Sequence, residues 1–194
     1  MKQFYYLGMI VFFCFACNDD VVPKPKGYLR LEYPAAHYIN TNVDGVPFSF
    51  ESNALANKIS SKKIISTTES YAINIEYSTL KGTIYLTYKS INNNQKNLID
   101  FLRDAQNFTQ KHTAKADEIK EKEYLNKINK VYGMFYEVGG NAASQSQFYV
   151  TDSTEHFLTG SLYFYAKPNY DSILPAAKYL ENDIKRIMET VKWK

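Results

Sequence analysis

Asp152, Ser153, Glu155 and His156 place a hydroxyl, a base and two carboxylates in one short stretch, the residue types of a nucleophilic triad. Their closeness argues against that chemistry. A triad is assembled from separate segments, with an oxyanion hole beside the serine, and no Gly-x-Ser-x-Gly elbow occurs. A polar turn accounts for Asp152 to Glu155 completely. His37, His112 and His156 are the only histidines, and none stands close to a second strong ligand, whereas zinc sites use closely spaced His and Cys pairs. Each reads as a surface or half-buried hydrogen-bonding group. Gly139-Gly140-Asn141 lacks the Lys-Ser/Thr end of a P-loop and the three-glycine spacing of a dinucleotide site. It reads as turn chemistry at a strand end. A carboxylate pair for glycoside hydrolysis would be distant in sequence, and nothing singles one out. The expectation is a protein that is not an enzyme and uses no metal or cofactor.

The strongest chemical signal is Cys17. After Lys2, Phe4 to Ala16 run without a charge, too short for a bilayer span, which takes about 20 apolar residues. A charged start, an apolar middle and a small residue before the cut are the build of a secretory signal. Val11-Phe-Phe-Cys-Phe-Ala-Cys17 resembles a lipoprotein box, with Cys14 where a Leu is usual. In such signals the cysteine is acylated, the peptide is cut before it, and the new amino end is acylated too. A cleaved signal with an incidental Cys17 is the plainer alternative. A Cys14–Cys17 redox pair would have to work inside the apolar export segment, away from any folded site. On the lipoprotein reading, residues 1–16 are the signal peptide and 17–27 are the lipidated Cys17 and a Pro/Lys linker. Residues 28–194 form a single α+β globular domain. Pro23-Lys-Pro-Lys-Gly27 is a stiff spacer extending about 3.1 Å per residue.

Removing the signal with Lys2 lowers the formal charge from +3 to +2, which is no electrostatic footprint for nucleic acid. With Cys14 cleaved away and Cys17 acylated, the domain folds without disulfides. The full chain has 17 Tyr and 12 Phe, most of them in this domain, where they can supply both a core and an interaction face.

The elements follow from periodicity. Tyr28–Tyr33, Pro47–Glu51 and Lys58–Ser66 read as short strands. Tyr71, Ile73, Ile75 and Tyr77 face one way and Asn74 and Glu76 the other, a strict period of two. Thr83–Tyr88 alternates again after a Lys81-Gly82 turn, so the two runs form a hairpin. From Asn94 to Lys111 the period changes. Leu98, Phe101, Leu102, Ala105 and Phe108 form the core-facing stripe of an amphipathic helix. Charged Ala116–Lys127 is an exposed strand, followed by strands at Val131–Val138, Gln147–Thr151 and His156–Ala166. Gly160 marks a bulge or a close backbone approach. Asp171 reads as an N-cap, with Pro175 in the first turn of a helix whose stripe is Ile173, Ala177, Leu180, Ile184, Ile187 and Val191. The expected architecture is α+β, an antiparallel sheet covered by two main helices. Its closing strands and last helix resemble the PsbP-type α/β/α sandwich.

Several ordered segments resemble the gliding-motility lipoprotein GldD family of Bacteroidota. They are Cys17, Pro23-Lys-Pro-Lys-Gly-Tyr28, Pro47-Phe-Ser-Phe-Glu51, Lys81-Gly-Thr-Ile-Tyr-Leu-Thr-Tyr-Lys89, Val131-Tyr-Gly133 and Gly140-Asn-Ala-Ala-Ser144. Gln147 to Phe157, Leu162-Tyr-Phe164, Pro168-Asn-Tyr-Asp-Ser172 and the Trp193-Lys194 ending complete the likeness, which covers nearly the whole chain. It departs at Val46 and Thr159, where relatives more often carry Cys and Arg. The resemblance implies a lipid-anchored envelope protein, on the outer membrane or the periplasmic face. It also implies a need for this protein in gliding and type IX secretion, with other envelope proteins of that machinery as partners. Cys17 is the one functional residue it transfers. Protein–protein contact through outward aromatics such as Tyr85, Tyr149 and Tyr163 is the expected mode of action. The alternative is a lipoprotein that binds envelope glycan, peptidoglycan or a small ligand in a tyrosine-rich concavity.

Overall fold

The computed structural model describes residues 32–111, 116–165 and 170–194, with the backbone alone at 170 and 171. In chain order the strands are β1 (Tyr38–Asn42), β2 (Phe48–Asn53), β3 (Lys58–Ile64), β4 (Ser70–Tyr77) and β5 (Gly82–Ser90). Helix α1 (Gln95–Gln110) follows. Then come β6 (Ala116–Asn126), β7 (Val131–Gly140), β8 (Ser146–Thr151), β9 (His156–Phe164), helix α2 (Tyr170–Thr190) and β10 (Lys192–Trp193). The fold is α+β, and every strand pairing is antiparallel.

The strands form two sheets rather than one. The larger has the order β3-β4-β5-β9-β8-β7-β6, and the smaller is β1-β2-β10. The hairpin of β4 and β5 pairs Ile73 with Leu86 and Ile75 with Ile84, as alternation requires. It closes through a 3-10 turn at Ser78–Leu80, with Lys81 rather than Gly82 in the left-handed region at φ 50°. β1 is polar and exposed along much of its length, and β10 has only two residues. Neither shows a periodic signal. Of the segment Tyr28–Tyr33, residues 28–31 lie outside the described residues, and Glu32 and Tyr33 are not in a strand.

Because successive strand residues alternate faces, the large sheet buries two different sets. One face holds Ile73, Ile75, Ile84, Leu86, Phe135, Phe148, Val150, Leu158 and Leu162. Against it pack Leu180, Ile184 and Ile187 of α2, Val191 just after it, and the β2 pair Phe48 and Phe50. The opposite face carries Tyr149 and Phe157, which meet Leu98 and Phe101 of α1 in a much smaller cluster. One helix therefore lies on each face. The outer edge strand β6 is lined with Asp117, Glu118, Lys120, Glu121, Lys122 and Glu123, charges that discourage edge-to-edge pairing.

Both helices depart from their sequence reading near an end. Asn94 caps α1, its side chain accepting from Lys96 N. At the other end of α1, Phe108 is 39% exposed while Thr109 is buried at 4%, so the apolar stripe stops short. α2 begins at Tyr170, which puts Asp171 inside the first turn rather than at the cap. Pro175 consequently lies beyond the first turn, where its missing N–H costs an intrahelical bond. The buried stripe that follows offsets the loss.

A buried polar knot ties α2 to the small sheet. Asp183 is 1% exposed, accepts from the Tyr38 hydroxyl at 2.8 Å and accepts from Asn53 Nδ2 at 3.1–3.2 Å. Asn53 Oδ1 in turn accepts from Leu55 N at 3.1 Å. Burial outweighs these hydrogen bonds and pushes the Asp183 carboxyl above its ordinary range. The native state therefore holds this proton more tightly than the unfolded chain, for which about 3.9 is usual. The stabilising contribution is full below the unfolded value and is lost as pH rises through the raised folded value. Asp183→Asn should accordingly gain stability over the parent as pH rises from about 4 to about 7. Urea midpoints of the two proteins across that window check this, and parallel curves would refute it.

Candidate functional site

Between α1 and the large sheet lies a cavity of about 290 Å³. Its floor is the interior of the large sheet, from Tyr85 and Thr87 of β5 through Thr159 and Ser161 of β9 to Gln147 of β8 and Tyr136 of β7. Tyr149, Phe157 and Tyr163 supply its aromatic surfaces, and Phe101, Ala105 and Phe108 of α1 form its roof. Alternation explains the gathering. Residues 83, 85 and 87, residues 157 to 163 in steps of two, and 147 and 149 all point to the α1 side. The α1 roof is held near its start by Asn97 Nδ2 donating to Ile91 O at 3.0 Å. Near its end it is held by the Thr109 hydroxyl donating to Gln147 Oε1 at 3.0 Å.

The rings form two groups. Tyr149 and Phe157 are nearly parallel, at 7° and 5.8 Å between centroids, with Tyr136 at 6.4 Å from Tyr149. Tyr85 and Tyr163 meet edge to face at 5.8 Å. The Tyr85 hydroxyl shares a 2.8 Å hydrogen bond with that of Tyr165. Burial pushes the Tyr136 phenol up to about 12 and raises Tyr149 and Tyr163, so all three stay protonated donors. Lys89 lies 4.6 Å over the Phe101 ring and 3.6 Å from Asp104 Oδ2, so the charges at the rim are paired.

The other sequence candidates are placed apart from this cavity. Burial alone would raise the Asp152 carboxyl, but its Oδ1 accepts from the backbone N–H groups of Thr154, Glu155 and His156 at 2.8–3.0 Å, and together these bring it below the usual range. Ser153 sits at the bend with φ 70°. His156 shares a 2.8 Å hydrogen bond between Nδ1 and the Tyr88 hydroxyl and stacks on Trp193 at 5.0 Å. Its half-buried ring titrates below the ordinary value because burial disfavours the charged form. Asp152 to Glu155 thus make a polar turn, and His156 braces β5 against the C-terminus. His37 is exposed, and Gly140 takes φ 84° at the end of β7. Cys14, Cys17 and His112 lie outside the described residues.

Sequence reasoning named Tyr85, Tyr149 and Tyr163, and the structure brings them to one cavity. It missed Tyr136, Thr109 and Gln147. Period two does place Tyr132, Met134 and Tyr136 on one side of β7. Gln147 gives no such signal, since a polar residue opening an apolar strand reads as a boundary.

These features define a class: an α+β domain with an aromatic cavity on an incompletely covered sheet face. No helix among the described residues is long and apolar enough to cross a membrane. Residues 18–193 match the family model described as gliding motility lipoprotein GldD, and the chain belongs to that family. No curated protein matches it. Membership associates the chain with gliding motility and makes it a membrane-anchored protein of the cell envelope, within a multi-protein system.

The sheet under the cavity has little slack. Register is continuous through Gly160 on both sides, so it marks a close approach and not a bulge. A Cβ added there would stand 2.1 Å from Phe148 Cε1. Gly160→Ala should therefore destabilise the domain by about 1–3 kcal/mol through overpacking. Adding Phe148→Leu should recover part of that loss. Urea unfolding of both single variants and the double variant tests the coupling, and strict additivity would refute it.

Proposed function

We propose that this protein is a lipid-anchored, non-enzymatic accessory of the gliding and type IX secretion machinery that acts by protein–protein contact. Cys17 is the acylation site. The family match starting at Asn18 and the apolar stretch before Cys17 support this assignment. Each buried methylene of a lipid chain contributes about 0.8 kcal/mol, and one chain anchors only marginally. Acylation at both the thiol and the new amino end makes residence on the membrane lasting.

The observation that carries the contact reading is the uncovered aromatic face. Tyr85, Tyr149 and Tyr163 lie together on the side of the sheet that α1 covers only in part. Tyrosine in such a position offers apolar area and a hydroxyl at once, the combination enriched at binding surfaces. The Asp152–His156 turn is occupied by hydrogen bonds that shape the backbone, which favours a binding role over hydrolysis. The face is concave and tyrosine-lined rather than flat. That supports a second reading, in which the domain binds envelope glycan, peptidoglycan or a small ligand.

A deletion strain should lose colony spreading and change its secreted proteome, and a Cys17→Ala gene should fail to restore either. An unchanged secretome in the deletion would reject the secretion role. The triple variant Tyr85→Ala/Tyr149→Ala/Tyr163→Ala should impair secretion while the purified protein keeps a cooperative melt. Normal secretion by that variant would remove this face from the contact.

A further inference from the structure

Gln147 is 2% exposed, lines the cavity and keeps its Nε2 without a hydrogen-bond partner in the protein. Its Oε1 accepts from Thr109. Turned over, the amide would donate to the same hydroxyl, which also has Ala105 O as an acceptor, and would leave its oxygen unpaired instead. Either way one end of the amide lacks a partner. A buried donor left unpaired carries its full desolvation cost, and a ligand group bearing an acceptor would relieve it. Around it, the hydroxyls of Tyr136, Tyr149 and Tyr163 bond no protein atom among the described residues. Ser161 and Thr87 line the same space. The polar groups of the cavity are thus neutral, and most of them can both donate and accept. The charged pair at the rim, Lys89 and Asp104, is already matched, so an anion or a cation finds no free counter-charge there.

We propose that this cavity binds one neutral, hydroxyl-rich ring, a pyranose residue of an envelope glycan, with Gln147 Nε2 donating to a sugar oxygen. This rests on the ligand-binding reading of the cavity and not on the motility role. A volume of about 290 Å³ suits a single ring and is near the lower limit for ligand pockets, about 300 Å³. Aromatic surfaces complement the C–H face of a pyranose, while the hydroxyls on the ring edge require the mixed donors and acceptors present here. An extended peptide fits less well. It gains affinity by adding to a sheet edge, whereas the floor strands β5, β9, β8 and β7 are paired on both sides.

The test uses the purified full-length lipoprotein in detergent and saturation-transfer NMR. The probes are the methyl glycosides of glucose, mannose and N-acetylglucosamine, with glucuronate and N-acetyltyrosinamide as comparisons. At least one neutral glycoside should bind. Gln147→Leu should weaken it about fivefold to tenfold, the worth of one hydrogen bond. Ser161→Trp, which fills the cavity from β9, should abolish it. Both variants should keep a cooperative melt, with Gln147→Leu also giving up the Thr109 bond, and either one that stays folded suffices for the test. Absence of transfer to every neutral glycoside would overturn the proposal. So would binding that both variants leave unchanged, or binding of N-acetyltyrosinamide alone. That last result would leave the protein-contact reading standing, and a motility phenotype would bear on neither outcome.

Discussion

The fold depends on one seam, the stripe of Leu180, Ile184 and Ile187 along α2 with Val191 just beyond its end, each fully buried. It lies where two sheets meet a single core. The large sheet presents Val150, Leu158 and Leu162 to it, and the small sheet presents Phe48 and Phe50. Without the helix the small sheet has no hydrophobic partner of its own size. A sheet of this kind, with one strand of two residues, does not persist alone. Polar contacts then fix the register of helix against sheet. Asp183 holds Tyr38 and Asn53, and Arg186 makes two hydrogen bonds to Glu51 at 2.6–2.9 Å. Thr190 Oγ1 accepts from Glu51 N at 2.9 Å. The apolar seam supplies the stability, and the polar contacts select one arrangement among several apolar ones.

The same constraint leaves the opposite face under-covered. Every strand of the large sheet has two faces, and α2 with the small sheet can occupy only one. α1 is the cover for the other, and its buried apolar contribution is essentially Leu98 and Phe101. The C-terminal half of α1 buries Thr109 rather than an apolar side chain, and Phe108 stays half-exposed at the cavity roof. Aromatic side chains below it are therefore only partly satisfied by the protein. A fully packed interface would bury Tyr149 and Tyr163 and pair Gln147, and stability would gain. Retaining an unpaired amide and open rings is the kind of local inconsistency that marks functional surfaces.

How far this was legible follows from what each signal measures. Strict alternation in β4, β5 and β9 gives their pairing and faces directly, because burial on one side writes a period of two into the sequence. The α2 stripe is equally plain. What alternation cannot encode is long-range partnership. β1 reads Tyr-Ile-Asn-Thr-Asn, polar and mostly exposed, and it is a strand only because β2 lies alongside. Trp193 looks like a chain end, yet it pairs with Phe48 and stacks on His156. The cavity follows the same division. Tyr85, Tyr149 and Tyr163 are visible as outward aromatics, while Gln147 and Thr109 acquire meaning only from their contact, made 38 positions apart in the chain.

The size of the cavity and the anchoring of the chain belong together. A space of about 290 Å³ contacts few ligand atoms, and the best small ligands gain at most about 1.5 kcal/mol per non-hydrogen atom, usually far less. Free in solution, such a site would be occupied only at high ligand concentration. Membrane anchoring, which belongs to the family, removes that difficulty by confining the domain beside other envelope components. Confinement replaces bulk concentration by an effective one, which reaches the millimolar range for short flexible links. A weak, shallow site then suffices for recognition, and its contacts can exchange quickly while the lipid keeps the protein in place. On the proposed reading, strength of attachment and choice of contact are divided, the membrane anchor supplying one and the under-covered face of the sheet the other.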